Sequence, residues 1–211
     1  MTGHRSAPEV LVLHGVRVLG GPSAAAIAER FGLDPAEVRE QLLDAQAYGW
    51  VSRHEYFGET WSLTERGRAQ NERLLADELG LLGLRDTVIE AHRDFLPLNL
   101  RHGVASTRWQ LRPTRWDPQA FNDHTDPAWD DDVLAELGAI DQEFSVIANR
   151  LAIELRRFDS YAERHAAAVR LARAGRHAWV DAPDRASCQL VWIQFHEDLL
   201  ASLGIPRGTD G

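Results

Sequence analysis

Two groups of residues in this chain have side chains suited to chemistry. In the first, Arg39 and Gln41 lie two positions apart in PAEVREQLLDAQA, and Arg53 and His54 are adjacent in VSRHEY. A guanidinium grips guanine or phosphate with paired hydrogen bonds, and a carboxamide does the same for adenine. Glu40 can accept from cytosine, but Glu40 and Asp44 would repel phosphates. The candidate DNA-contacting set is Ser23, Ala36, Arg39, Glu40, Gln41, Arg53 and His54.

The second group lies in TRWQLRPTRWDPQAFNDHTDPAWD, residues 107–130, a stretch rich in Pro, Asp and Trp. An irregular segment of that length inside a folded domain is commonly functional. Trp109, Trp116, Phe121 and Trp129 can wall a pocket, and Arg108, Arg112 and Arg115 can clamp an anion. That combination suits an apolar ligand carrying a carboxylate or phosphate. The competing reading has the aromatics pinning the loop to helices and the arginines pairing with nearby aspartates. The candidate ligand set is Arg108, Trp109, Arg112, Trp116, His124, Trp129 and His196.

His124 and Asp126, with His196 and Glu197, form a loose histidine–carboxylate group, and His92 and His102 are further candidates to join it. Such residues can ligate a metal or move protons. Their spacing matches no zinc signature, however, and the chain has no Gly-rich phosphate loop, nucleophile elbow or CxxC pair. No metal, cofactor or catalytic residue is therefore assigned. An enzyme using His124, Asp126, His196 and Glu197 is the remotest of three readings.

The elements that must position these residues are marked by their punctuation. Pro8 opens a helix over 8–20 with Val10, Leu13, Val16, Val18 and Leu19 as its apolar stripe, and Gly20-Gly21-Pro22 stops it. Ser23 caps a helix over AAAIAERF, with Ala26, Ile27 and Phe31 facing inward, and Gly32 ends it as a left-handed cap. Asp34 caps the next helix, with Pro35 in its first turn and Glu37 at the capping-box position. Val38, Leu42 and Ala45 face the core, leaving Ala36, Glu37, Arg39, Glu40, Gln41 and Asp44 outside. Gly49 closes this helix. Residues 50–56 and 60–63 read as two strands joined by a turn at Phe57-Gly58-Glu59. Trp50 and Trp61 are expected in the core, and Thr64 caps a fourth helix.

The order helix, turn, helix, hairpin, helix describes a winged helix-turn-helix. AAAIAERFGLDPAEV, the GWV turn and WSLTERGRA resemble a winged-helix transcriptional regulator of the MarR type, over about the first third of the chain. WQLRP, NDHTDPAWD and HEDLL further on resemble an actinobacterial group of regulators with an added helical C-terminal domain. The resemblance implies a dimer on palindromic operator DNA, released by a small-molecule effector.

Beyond the hairpin the chain reads as all-α. A helix over 86–106 is interrupted near Pro97, the irregular segment 107–130 follows, and helices are expected over 131–158, 160–175 and 184–203. The fold class expected is mainly α: a winged helix-turn-helix at 1–77 and a helical dimerisation or ligand-binding domain at 78–211.

Composition limits the alternatives. The chain has 211 residues, enough to bury a sizeable core, and 44% of them are hydrophobic against 26% charged. No apolar run approaches the roughly 20 residues of a membrane span. MTGHRSAPEV has no signal-peptide core. Cys188 is the sole cysteine, so no internal disulfide can form. A cytoplasmic protein with no membrane partner is expected.

All 23 basic residues are arginine, and the formal net charge is −9. Residues 1–77 hold 8 arginines against 11 carboxylates. DNA affinity comes largely from phosphate neutralisation, so an acidic DNA binder must gather its arginines on one face or dimerise. A protein-interaction module using Glu37, Glu40 and Asp44 as contacts is the second reading.

Overall fold

A computed structural model describes residues 3–56 and 58–208. Phe57, one residue of the expected hairpin turn, lies outside the described residues. Among the described residues there are nine α-helices and one two-stranded antiparallel sheet. The chain is mainly α, as expected. Its contacts group into two compact units: residues 1–89, 152–157 and 194–211 form the first, and residues 90–151 and 158–193 form the second.

In the first unit, α1 (Pro8–Leu19), α2 (Ala24–Phe31) and α3 (Pro35–Ala47) precede β1 (Val51–His54), β2 (Thr60–Leu63) and α4 (Glu65–Leu82). The capping residues act as the sequence predicts. Ser23 Oγ accepts from Ala26 N at 3.2 Å, and Asp34 Oδ1 accepts from Ala36 N and Glu37 N at 2.8 and 3.1 Å. Gly20, Gly32 and Gly49 take the left-handed conformation at the helix ends, with φ of 67°, 64° and 73°. Each would place a Cβ against its own carbonyl in any other residue.

The hairpin pairs Val51 with Leu63 and His54 with Thr60. Its inner side delivers Val51 and Trp61 to a core shared with Val12, Leu13, Val16, Ile27, Val38 and Leu42. Trp61 is fully buried, whereas Trp50 is half-buried and stacks on Tyr48 at 4.8 Å.

The joint between hairpin and α4 is tight. Thr64 Oγ1 accepts from Gly67 N at 3.0 Å and reaches the carbonyls of Gly49 and Trp50 at 2.7 and 3.1 Å. A Cβ on Gly67 would lie 1.8 Å from the Trp50 carbonyl oxygen. The Thr-x-x-Gly spacing therefore has a steric cause: only glycine lets α4 approach Trp50 that closely.

The first unit also buries a charge network. Arg157 is buried and donates to Glu78, to Ser202 Oγ at 2.9 Å and to Asp198 Oδ1 at 3.4 Å. His14, in the apolar stripe of α1, lies 3.1 Å from the same carboxylate. Burial pushes the Asp198 carboxyl up, but the charges of His14, Arg157 and Arg30 outweigh it and hold the group below its ordinary value.

In the second unit lie the greater parts of α5 (Arg85–Gln110) and α6 (Pro127–Glu154), with α7 (Tyr161–Arg173), α8 (Ala178–Asp181) and the first residues of α9 (Cys188–Leu203). The expected break near Pro97 is absent: α5 runs unbroken through it. Ala91, Phe95, Leu98, His102, Ala105 and Trp109, spaced alternately by four and three, are all buried. Burying that whole stripe outweighs the one helical hydrogen bond a proline removes. As a result Arg108, Trp109 and Gln110 are helical rather than part of the loop. The four-residue α8 was not legible in the sequence.

His102 occupies one position of this stripe. Its ring stacks on Trp192 at 4.2 Å and lies 6.0 Å from His165, whose Nδ1 is 2.7 Å from Asp141. Burial, with His165 nearby, pushes the His102 pKa down to about 3. Burial and the charge of Asp141 push the Cys188 thiol up to about 12, leaving it an unreactive apolar side chain.

Among the described residues no single helix is long and apolar enough to cross a membrane. Helices α1 and α2 together have the required composition, but they are bent by 111° to one another.

Candidate functional site

The α3 face and the hairpin lie in the first unit. Ala36, Glu37, Arg39, Glu40 and Asp44 are exposed, as expected. Gln41 is only half-exposed, and its buried Oε1 has no hydrogen-bond partner. It lines an apolar cleft of about 340 Å³ with Leu13, Ala45, Tyr48, Trp50 and Leu74. Ser23 Oγ is spent on its own helix.

Both candidate arginines are already paired. Arg53 Nε lies 2.8 Å from Glu59 and Arg53 Nη2 lies 2.8 Å from Glu55. Arg39 Nε lies 3.4 Å from the other oxygen of Glu59. His54 Nε2 is 2.8 Å from Ser62 Oγ. Around two arginines and one histidine the surface thus places five carboxylates: Glu37, Glu40, Asp44, Glu55 and Glu59.

The second unit separates the residues of the expected aromatic pocket. Trp109 is buried, while Trp116 and Phe121 are 81% and 86% exposed. Trp129 Nε1 donates to the Arg108 carbonyl at 2.8 Å. Arg108 stacks over the Trp129 ring at 4.7 Å and pairs with Asp132 at 2.7 Å. Arg112 pairs with Asp126 and Asp123 at 3.5 and 3.8 Å, and Arg115 lies over Trp116 at 4.1 Å. The arginines are therefore engaged by neighbouring aspartates and aromatics.

A different set of side chains converges where the loop returns to Trp109. Among the described residues, His124, Asp130 and His177 bring their ligand atoms within 4.8 Å of one another. His124 Nδ1 is 2.9 Å from Asp130 Oδ2. The two imidazoles are 5.6 Å apart, and Trp109 packs against both at 4.5 and 5.3 Å. Asp130 is only 4% exposed.

Asn122 organises this cluster. Its Oδ1 accepts from the His124 backbone N–H at 3.2 Å, which fixes the orientation of its amide. Its Nδ2 then donates to the Trp109 carbonyl at 3.0 Å and to Asp130 Oδ1 at 2.8 Å, and approaches His124 Nδ1 to 3.2 Å. His124 itself has φ of 56°, in the left-handed region that few side chains other than Asn, Asp and His enter. Such strain persists only where surrounding bonds impose it, and it concentrates at functional positions.

The carboxylate beside His124 is thus Asp130 and not Asp126, which pairs with Arg112 and accepts from Trp129 N at 3.4 Å. Helix α6 opens at Pro127, ahead of the expected 131, so Asp130 falls in its first turn; Asp126-Pro127, an N-cap residue followed by a first-turn proline, is the sequence signal for that start. His177 has no such signal. Of the other residues expected with this group, His196 and Glu197 belong to the first unit, where Glu197 pairs with Arg17 at 2.7 Å and with Arg68 and Arg207 at 3.6 Å.

A cleft of about 400 Å³ opens on the cluster, lined by Trp109, Leu111, Phe121, His124, His177 and Asp181. Two imidazoles, a buried carboxylate and an apolar wall can hold a cation and leave room for a small molecule beside it. No protein-family model, characterised protein or solved structure matches this chain.

Proposed function

We propose that the chain is a DNA-binding transcriptional regulator built on a winged helix-turn-helix, acting as a homodimer, with its second unit holding a small effector. The observation that carries this reading is the arrangement in the first unit. Helix α3 is anchored by Val38, Leu42 and Ala45, which are buried, while Ala36, Arg39 and Glu40 are exposed beside a hairpin bearing Arg53 and His54. A helix held by one stripe and free along the other is what major-groove docking requires. A dimer doubles the small number of arginines that each copy presents.

The test is fluorescence anisotropy of the full chain with duplex DNA from upstream of its own coding sequence. A scrambled duplex serves as control, and both are measured at two salt concentrations. Selective binding that weakens with salt supports the regulator. Binding no better than to the scrambled duplex, even at low salt, rejects it.

A second reading is favoured by Glu59, which engages both Arg39 and Arg53. A face on which five carboxylates outnumber two arginines suits a basic protein partner better than a polyanion. Recovery of one basic partner, lost on charge reversal of Glu37 and Glu40, supports this alternative.

A further inference from the structure

We propose that His124, Asp130 and His177 form a binding site for a divalent first-row transition metal ion of the Zn(II), Fe(II) or Co(II) class. The inference stands apart from the DNA reading, and its test contains no DNA.

The electrostatics of Asp130 come first. A buried carboxylate needs a compensating cation or full hydrogen bonding. The nearby arginines are committed elsewhere: Arg108 to Asp132, and Arg112 to Asp123 and Asp126. Among the described contacts, Asp130 Oδ1 meets Asn122 and Oδ2 meets His124. Neither of these contacts is with an arginine, which leaves the charge of Asp130 open to an ion.

The geometry around His124 Nδ1 has room for an ion in place of a proton. The same nitrogen faces Asp130 Oδ2 at 2.9 Å and the Asn122 amino group at 3.2 Å. A protonated Nδ1 satisfies Asp130, and both hydrogens of the Asn122 amino group are already spent on the Trp109 carbonyl and Asp130 Oδ1, so Asn122 can hold the carboxylate in place whichever cation meets its other oxygen. A bare Nδ1 leaves two acceptors opposed across 2.9 Å. A metal between them resolves that opposition. With metal–ligand bonds of about 2.1 Å, two adjacent ligands are separated by about 3 Å at right angles and about 3.4 Å at the tetrahedral angle zinc prefers, so a bound ion would draw this pair slightly apart.

The third ligand and the surroundings fit the same ion. His177 comes from the turn before α8, so the three ligands join the loop, the first turn of α6 and a third segment. Two imidazoles and one carboxylate suit zinc and its neighbours rather than calcium or magnesium, which take oxygen ligands. Asn122 holds the free oxygen of Asp130, the kind of outer contact that orients a ligating carboxylate. Three protein ligands leave coordination positions open toward the cleft, where a water or an anionic small molecule can complete the shell.

The experiment uses the untagged full chain, stripped with chelator and titrated with Co(II) and then Zn(II). Visible absorption, calorimetry and elemental analysis are the readouts. The expected result is one equivalent of Co(II) with ligand-field bands, displaced by Zn(II). His177→Ala, an exposed change that leaves the core intact, and Asp130→Asn, which keeps side-chain shape, should each weaken binding by about 100-fold or more, while His4→Gln in the first unit leaves it unchanged. Added Zn(II) should raise the thermal midpoint of the native chain and not that of His177→Ala. Absence of stoichiometric binding, or binding unaffected by both site variants, overturns the proposal and leaves His124 and Asp130 as a simple hydrogen-bonded pair.

Discussion

Arg53 is tied to Glu59 across the hairpin, its Nε 2.8 Å from the carboxylate, and Arg39 of α3 leans on the same side chain. One glutamate thus holds both arginines that the sequence offers to DNA. All three side chains are partly exposed, so the pairs are weak and salt-sensitive, of the order of 1 kcal/mol or less. A phosphate could replace Glu59 as their partner, at the cost of pushing its carboxylate aside.

Glu59→Gln therefore tests the surface directly. The variant should bind duplex DNA several-fold more tightly at low salt, with the gain shrinking as salt rises, because a repulsive charge has gone and two guanidinium groups are released. Arg53→Ala and Arg39→Ala should weaken binding in the native background. Anisotropy titrations in which none of the three changes moves the affinity would exclude this face from any nucleic-acid contact.

Gly67 and Gly80 lie on the same helix and predict opposite outcomes. A methyl on Gly67 meets a backbone atom, the Trp50 carbonyl oxygen, at 1.8 Å, whereas a methyl on Gly80 meets nothing within 4 Å. Gly67→Ala should destabilise the chain by about 3 kcal/mol or more, since α4 must move away from the hairpin. Gly80→Ala should stabilise it by up to about 1 kcal/mol through helix propensity. Urea midpoints of the two proteins decide this, and equal midpoints would contradict the close approach of α4 to Trp50.

Protonation of His102 supplies a pH dependence with a definite sign. Its pKa is about 3 in the folded chain against an ordinary 6.5. Between those values the unfolded chain binds the proton and the folded chain does not, so stability is full above pH 6.5 and falls as pH drops toward 3. The loss from this group should reach about 2 kcal/mol by pH 5. His102→Gln removes the titration, so the difference in unfolding free energy between pH 7.5 and pH 5 should shrink by about that amount even if the variant is less stable throughout. An unchanged pH slope would mean that His102 takes up its proton without unfolding.

These residues also show what the sequence made legible. Helix ends announce themselves locally: Ser23, Asp34 and Thr64 cap helices, and Gly20, Gly32 and Gly49 end them, because each of those roles needs a particular side chain or none. The Thr64–Gly67 spacing belongs to the same class. Contacts between distant positions were hidden. Glu59 lies 20 residues from Arg39, and His177 lies 53 residues beyond His124, so no periodicity links them. Pro97 misled because its local effect is real but smaller than the burial of a long apolar stripe. His14 and His102 fill stripe positions that their polarity disguises, and Asp126 drew attention from Asp130 by standing nearer to His124.

The buried network around Asp198 is the remaining place where one substitution should have a large effect. Arg157, His14 and Asp198 are all buried, and Arg157 also holds Glu78 and Ser202. Removing one member of such a network takes from the others a charge that offsets their burial, and breaking a buried pair from one side typically costs about 3–5 kcal/mol. Asp198→Ala should show a loss in that range by urea denaturation. Arg157→Met should cost a similar amount, and the double variant should cost less than the two losses added, because each change strands what the other removes. The native carboxylate, held below its ordinary pKa, contributes stability that is present above about pH 4 and lost as pH falls through its folded value. Asp198→Ala should accordingly lose the steepest part of the acid-unfolding curve below pH 4 while keeping the shallower decline that His102 produces at higher pH. Additive losses in the double variant, each under about 1 kcal/mol, would mean that water reaches these groups and that the network is not closed.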